Sequence, residues 1–133
     1  MGSPKEYPVI WLQGAGCTGC SVSVLNSASP SIKNILVDEI IPGKHVNLRF
    51  HPVVMAASGQ TAIEVVEKPP KKKGGYILVV EGAIPTAAGH GSIGEASIAS
   101  RVERLGRDAL AAIALGTCAA FGGIPAATPN PSQ

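Results

Sequence analysis

The chain has 133 residues, enough for one domain with a real core and too few for two. Charged residues make up 15%, against about 25% in an ordinary soluble domain, so either small polar groups solvate much of the surface or something else covers part of it. A net charge of +2 removes the general electrostatic case for nucleic acid, and glycine and proline, 16 and 11 residues, stay below the level of a low-complexity chain.

The first apolar run, Tyr7 to Gln13, is short, continuous and partly β-branched, and predicts a buried strand. It ends in Gly14-Ala15-Gly16, a turn that lets backbone come close to another group. Ser21 to Ala28 predicts a helix, interrupted near Pro30 and restarted on Ser31 as its cap, with Ile32, Ile35, Leu36 and Ile40 on the apolar side. Pro42-Gly43 is a turn, and the alternation of Val46, Leu48 and Phe50 predicts a second strand that stops or reaches an edge at Pro52.

Ser58 to Glu67 has helical spacing at Ala62, Ile63 and Val66, with Ser58 as cap and Pro69-Pro70 as terminator. Lys68, Lys71, Lys72 and Lys73 form the one basic cluster, read as a solvated loop. Tyr76 to Val80 is the clearest buried strand, and Glu81-Gly82 follows it. Ser92 to Asp108 predicts a helix with Ile98, Val102 and Leu105 inside and Arg101, Glu103 and Arg104 outside. Ala109 to Leu115 predicts a fourth buried strand, followed by Gly116-Thr117-Cys118 and an Ala/Gly/Pro-rich tail.

Strands alternating with helices argue for an α/β fold: a doubly wound parallel sheet covered on both faces. Such sheets bind ligands beyond the carboxyl ends of their strands. Cys17 and Cys20 follow the first strand, Glu81 the third and Cys118 the fourth, so this topology gathers all of them at one edge. The two cysteines of Cys17-Thr18-Gly19-Cys20 suit one metal centre held from a tight turn, and Gly19 is expected to supply a conformation closed to other residues. Three thiols form a soft donor set, suited to an iron–sulfur cluster or zinc.

Other readings stay open at this point. The pair is also compatible with a thioredoxin-like dithiol, with a zinc site completed by His51 or His90, or with three core cysteines. His45, His51 and His90 each fit surface histidines, and Glu81 fits either a desolvated acceptor in the site or a loop carboxylate. Gly14, Gly16 and Gly19 superficially fit a dinucleotide fingerprint, but no Asp or Glu closes the second strand. No apolar run approaches the length of a membrane span and no secretory signal is visible.

Four blocks of the chain resemble one family. Trp11-Leu12-Gln13-Gly14-Ala15-Gly16-Cys17-Thr18-Gly19-Cys20-Ser21-Val22-Ser23 is similar to the N-terminal motif of the small subunit of nickel–iron hydrogenases. Phe50 to Ala56, Val80 to Thr86 and Gly116 to Ala127 resemble its next three blocks, in family order. The resemblance implies a flavodoxin-like domain over residues 1–133 carrying the proximal [4Fe–4S] cluster, with Cys17, Cys20 and Cys118 as three of its four ligands. Thr18, Gly19, Glu81 and Thr117 then fall close to the cluster or to the interface.

It further implies electron transfer during reversible H2 oxidation, in a heterodimer with a large subunit that holds the nickel–iron centre, and onward to a redox partner protein. The resemblance implies a periplasmic or membrane-associated location, but no export signal is visible, so location stays open, the cytoplasm included. Gly16 and Pro52 stand where some members carry glutamate, which leans toward the nickel–iron–selenium branch. The family's fourth ligand lies beyond the equivalent of Pro129-Asn130-Pro131, so the sheet is expected to end before its last strand, with a [3Fe–4S] form or an external fourth ligand as the consequence. A chain that keeps the family surface without the cluster, serving assembly alone, is the competing expectation. The Lys68 to Lys73 stretch is outside the pattern.

Overall fold

Lys5–Gln13 forms the central strand β1, and the alternation of its side chains sorts the apolar residues onto two faces. The computed structural model describes residues 5–39, 41–70 and 75–132. Its main sheet has four strands in the order β2-β1-β3-β6, all parallel, with β2 at Lys44–Phe50, β3 at Ile77–Glu81 and β6 at Ala111–Leu115. A two-residue hairpin, β4 at Ser92–Ile93 and β5 at Ala96–Ser97, stands apart. The expected α/β, flavodoxin-like parallel architecture is present.

One face carries the core. Ile10 and Leu12 of β1 meet Leu78 and Val80 of β3, Phe50 of β2, Val66 of helix α3 (Gly59–Glu67) and Leu105 of helix α4 (Ile98–Asp108). Tyr76 joins them, 1% exposed, and its hydroxyl donates to the Leu105 carbonyl oxygen at 2.6 Å. The opposite face is thinner. Helices α1 (Gly19–Leu25) and α2 (Ile32–Leu36) cover its β1–β2 half above an apolar cavity of ≈ 280 Å³ lined by Trp11, Val24, Ile35, Val79 and Ile113, among others. The restart on Ser31 is built as expected: its hydroxyl oxygen accepts from the Asn34 N–H at 3.3 Å, and Asn34 Oδ1 accepts from the Ser31 N–H at 3.0 Å.

Four expectations are corrected. Ser58 stands at the start of α3 but makes no side-chain cap. Helix α4 begins at Ile98, not Ser92, because Gly94 (φ +62) turns the chain into the hairpin and Ser97 caps the helix by accepting from the Ser100 N–H at 3.1 Å. Arg101, expected outside, is 2% exposed. Its guanidinium pairs with Glu67 of α3 and donates to the Ile93 carbonyl of the hairpin, so the charge is buried with partners on two elements. Finally, β6 is a strand but not a buried one: Ala111 to Ala114 are exposed and Ile113 is 46% exposed. Its outer edge has no strand beside it among the described residues. Of the basic cluster, Lys71 to Lys73 lie outside the described residues, and Lys68 pairs with Glu64 at 2.9 Å.

Strand order explains the site. From β1 the chain moves to β2 on one side, then returns past β1 to β3 on the other, so loops diverge at the carboxyl ends of β1 and β3. Register puts Gln13, Glu81 and Leu115 side by side as the last residues of their strands. The three loops that follow therefore leave the sheet at one height.

Candidate metal centre

The loops after β1 and β3 are joined backbone to backbone. Gly14 N–H donates to the Glu81 carbonyl at 2.7 Å, and Ala15 and Ala83 exchange bonds of 2.8 and 2.7 Å. This approach explains the glycines that mimic a dinucleotide fingerprint. A Cβ on Gly14 would stand 2.2 Å from the Ala83 oxygen, and one on Gly16 3.2 Å from the Gly82 Cα. Their bareness serves a protein contact rather than a phosphate.

Beyond the junction the chain forms the cysteine turn. The left-handed residue in it is Thr18, at φ 65, and not Gly19 as expected. Gly19 is required for a different reason: a Cβ there would lie 3.0 Å from Cys17 Sγ, while its N–H donates to that sulfur at 3.4 Å. Cys20 falls in the first turn of α1, and Cys118 in helix α5 (Gly116–Phe121) after β6. Cys17 is exposed, Cys20 and Cys118 are half-buried, and all three are free thiols. Thr117 is exposed beside Cys118.

The fold thus brings the three cysteines to one edge. Burial, then the charges of Glu81, Cys17 and Cys118, push the Cys20 thiol up from its usual value, a mutual influence that requires proximity. Each sulfur also faces a residue with no side chain. A Cβ on Gly116 (φ +82) would stand 2.3 Å from Cys20 Sγ, and one on Gly123 (φ +56) 2.9 Å from Cys118 Sγ. Among the described residues no group of three His, Cys, Asp or Glu side chains converges tightly enough to hold a single metal ion. Soft thiolates from two segments, the cysteine turn and α5, fit a polynuclear iron–sulfur group, whose irons are each held by their own thiolates.

Behind the cysteine turn lies a polar network in which Glu81 is the desolvated acceptor, as one of its two sequence readings has it, while the part of Trp11, Gln13 and Ser21 is new. Glu81 is 4% exposed. Its Oε2 accepts from Trp11 Nε1 at 2.9 Å, Gln13 Nε2 at 3.0 Å and Ser21 Oγ at 2.5 Å, and its Oε1 accepts from the Ser21 N–H at 3.0 Å. Burial alone would raise its pKa, but the bonds from Gln13, Ser21 and Trp11 together outweigh it and hold the carboxyl below its ordinary value. His51, expected at the surface, is also 4% exposed. Its Nδ1 accepts from the Val53 N–H at 3.2 Å, and its Nε2 lies 3.1 Å from Ser21 Oγ. Both ring nitrogens are engaged, which removes it as a zinc ligand, and His90 is an exposed loop residue. Burial lowers the His51 pKa more than the Glu81 charge raises it.

These two shifts predict acid lability of the metal-free chain. The unfolded His51 gains a proton as pH falls through about 6.5, whereas the folded ring resists it, so stability declines from there downward. Glu81 adds stability above the ordinary carboxylate range that disappears as pH falls through its depressed folded value. Denaturant midpoints measured from pH 8 to 3 should hold level at first, fall as pH drops below about 6.5 and fall again below the ordinary carboxylate range, and His51→Gln should remove the first of these falls. A midpoint constant across that range would contradict both assignments.

Fold and site together define a class: a parallel α/β domain that gathers reduced thiols at the carboxyl edge of its sheet. The chain belongs to the family described as NADH ubiquinone oxidoreductase, 20 Kd subunit, whose pattern matches residues 17–133. It is 45% identical over 139 residues to the periplasmic [NiFeSe] hydrogenase small subunit of Desulfomicrobium baculatum, across 95% of this chain and 42% of that protein. It is 39% identical over 130 residues to the periplasmic [NiFe] hydrogenase small subunit 1 of Nitratidesulfovibrio vulgaris, across 96% and 39%. Among solved structures, the [NiFeSe] hydrogenase from Desulfovibrio vulgaris Hildenborough superposes with a TM-score of 0.81 at 42% identity, covering 98% of this chain and 47% of that one. The actinobacterial-type NiFe-hydrogenase from Ralstonia eutropha H16 gives 0.83 at 32%, covering 98% and 41%. The chain therefore spans less than half the length of these relatives.

Proposed function

We propose that residues 1–133 form the proximal-cluster domain of a nickel–iron-type hydrogenase small subunit, an electron-transfer component rather than the site of hydrogen chemistry. The observation that carries this reading is the meeting of Cys17, Cys20 and Cys118 at one sheet edge, each sulfur against a bare glycine. The similarity to hydrogenase small subunits supports it.

A bound iron–sulfur cluster would supply one-electron redox capacity at this edge. The chain's own residues do the rest. Cys17, Cys20 and Cys118 supply thiolates, and the Gly19 N–H stabilises charge on the Cys17 sulfur. The junction of Gly14, Ala15 and Ala83 fixes the cysteine turn to the sheet. With three cysteines in the sequence, a [4Fe–4S] group takes its fourth ligand from elsewhere, and a [3Fe–4S] group needs none. A large subunit holding a nickel–iron centre is the proposed partner, with a redox protein as electron acceptor or donor. The relatives named as periplasmic support a periplasmic location. Among the described residues no helix is long and apolar enough to cross a membrane.

Anaerobic co-purification with the large subunit tests this. The complex should contain iron and acid-labile sulfide in this chain and show the broad visible absorbance of an iron–sulfur cluster, which Cys20→Ser abolishes or weakens. A folded complex in which this chain holds no iron would overturn the reading.

A further inference from the structure

Holding three thiols does not require a buried carboxylate behind them, yet Glu81 is buried and wired with unusual completeness. Four donors fill its two oxygens, and no ion pair neutralises it among the described residues. A buried carboxylate supplied with hydrogen-bond donors but no cation is a stabilised anion with its charge retained.

The bond directions are determined. The Val53 N–H occupies His51 Nδ1, so the neutral ring carries its proton on Nε2 and donates to Ser21 Oγ. Gln13 Nε2 also donates to Ser21 Oγ, at 3.1 Å. The Ser21 hydroxyl, with both of these as donors, gives its own proton to Glu81 Oε2. The Trp11 indole donates to the carboxylate and packs on the His51 ring, centroids 4.8 Å apart. Ser21 is the residue after Cys20, and its main-chain N–H is bonded to the same carboxylate. A single negative charge is thus pinned directly behind the cysteine turn, from strands β1 and β3 and from helix α1.

We propose that Glu81 is a positioning residue whose fixed negative charge lowers the reduction potential of the iron–sulfur group at Cys17, Cys20 and Cys118, and that Ser21, oriented by His51, holds that charge in place. The inference rests on the proposed function above. The physical reason is Coulombic. An electron added next to a buried anion is less stable than one added next to a neutral group, and net charge and hydrogen bonding are the means by which a protein sets cluster potentials.

The test is a redox titration of the anaerobically purified complex, followed by electron paramagnetic resonance, with iron and sulfide measured on every sample. Glu81→Gln keeps the shape and removes the charge, and its cluster should titrate at a more positive potential than the wild type. Glu81→Asp restores the charge and should return the potential toward the wild-type value. His51→Gln exchanges one neutral donor for another and should leave the potential in place. An unmoved potential in a loaded Glu81→Gln complex overturns the inference, as does an equal shift in all three variants, which would mark a geometric effect. Loss of the cluster in Glu81→Gln but not in Glu81→Asp also overturns it, because it assigns Glu81 to assembly. A wild-type complex without iron in this chain is a different failure, that of the metal-centre reading itself.

Discussion

Gly14→Ala is expected to remove a large fraction of the chain's stability. The new methyl would have to occupy a point 2.2 Å from the Ala83 carbonyl oxygen and 3.1 Å from its carbon. These are backbone atoms held by the Ala15–Ala83 bridge and by the Gly14 bond to Glu81, so no side chain can rotate away. Relief requires parting the two loops, which breaks hydrogen bonds worth about 1 kcal/mol each on top of an overpacking cost of about 1–3 kcal/mol. Against a total of about 5–15 kcal/mol for a domain, that is a large fraction. Chemical denaturation should show a much lower midpoint for Gly14→Ala. Gly43→Ala is the comparison: it meets nothing within 4 Å and carries only the strain of φ +77, about 1 kcal/mol. Equal losses in the two variants would show that the loop junction is not tight.

Gly116→Ala is expected to disable the metal centre instead. Here the methyl would stand 2.3 Å from Cys20 Sγ, a sulfur that α1 and the Ser21–Glu81 bonds hold in place. Displacing that ligand by a clash of about 1–3 kcal/mol corresponds to a loss of metal affinity of about fivefold or more. The iron content of the complex is the measurement. Gly59→Ala imposes a comparable left-handed strain, φ +57, with open space around it, and should keep its iron. Full loading of Gly116→Ala would show that Cys20 has room to move and that Gly116 does not shape the site.

Both substitutions act on approaches between residues far apart in the chain, and that separates what was legible in the sequence from what was not. The strands are legible because β1 and β3 are continuous apolar runs ending near glycine turns, and the restart after Pro30 because Ser31 is a cap residue. The edge that collects Cys17, Cys20, Glu81 and Cys118 followed from the alternation of strand and helix. The same strand-end rule points to His51, one residue past β2, but a lone histidine carries no mark of burial in the sequence. Ser21, Gln13 and Trp11 carried no signal: hydroxyl, amide and indole become informative only when a buried carboxylate is found among them. The strand character of Ala111–Leu115 was plain, yet its exposure was not, since an apolar strand reads alike at the centre of a sheet and at its edge.

The sequence alone determined the local order of strands and helices and the chemistry of the donor set, because periodicity, caps and residue type are local properties. Only the tertiary structure decided that Thr18 rather than Gly19 takes the left-handed turn, that Arg101 and His51 are buried, and that bare glycines face three sulfurs. Each of these depends on a backbone torsion or on how the chain folds back to bring a partner into contact. Burial, clash and charge are properties of pairs in space, and they appear only once the register of β1, β3 and β6 has set those pairs side by side.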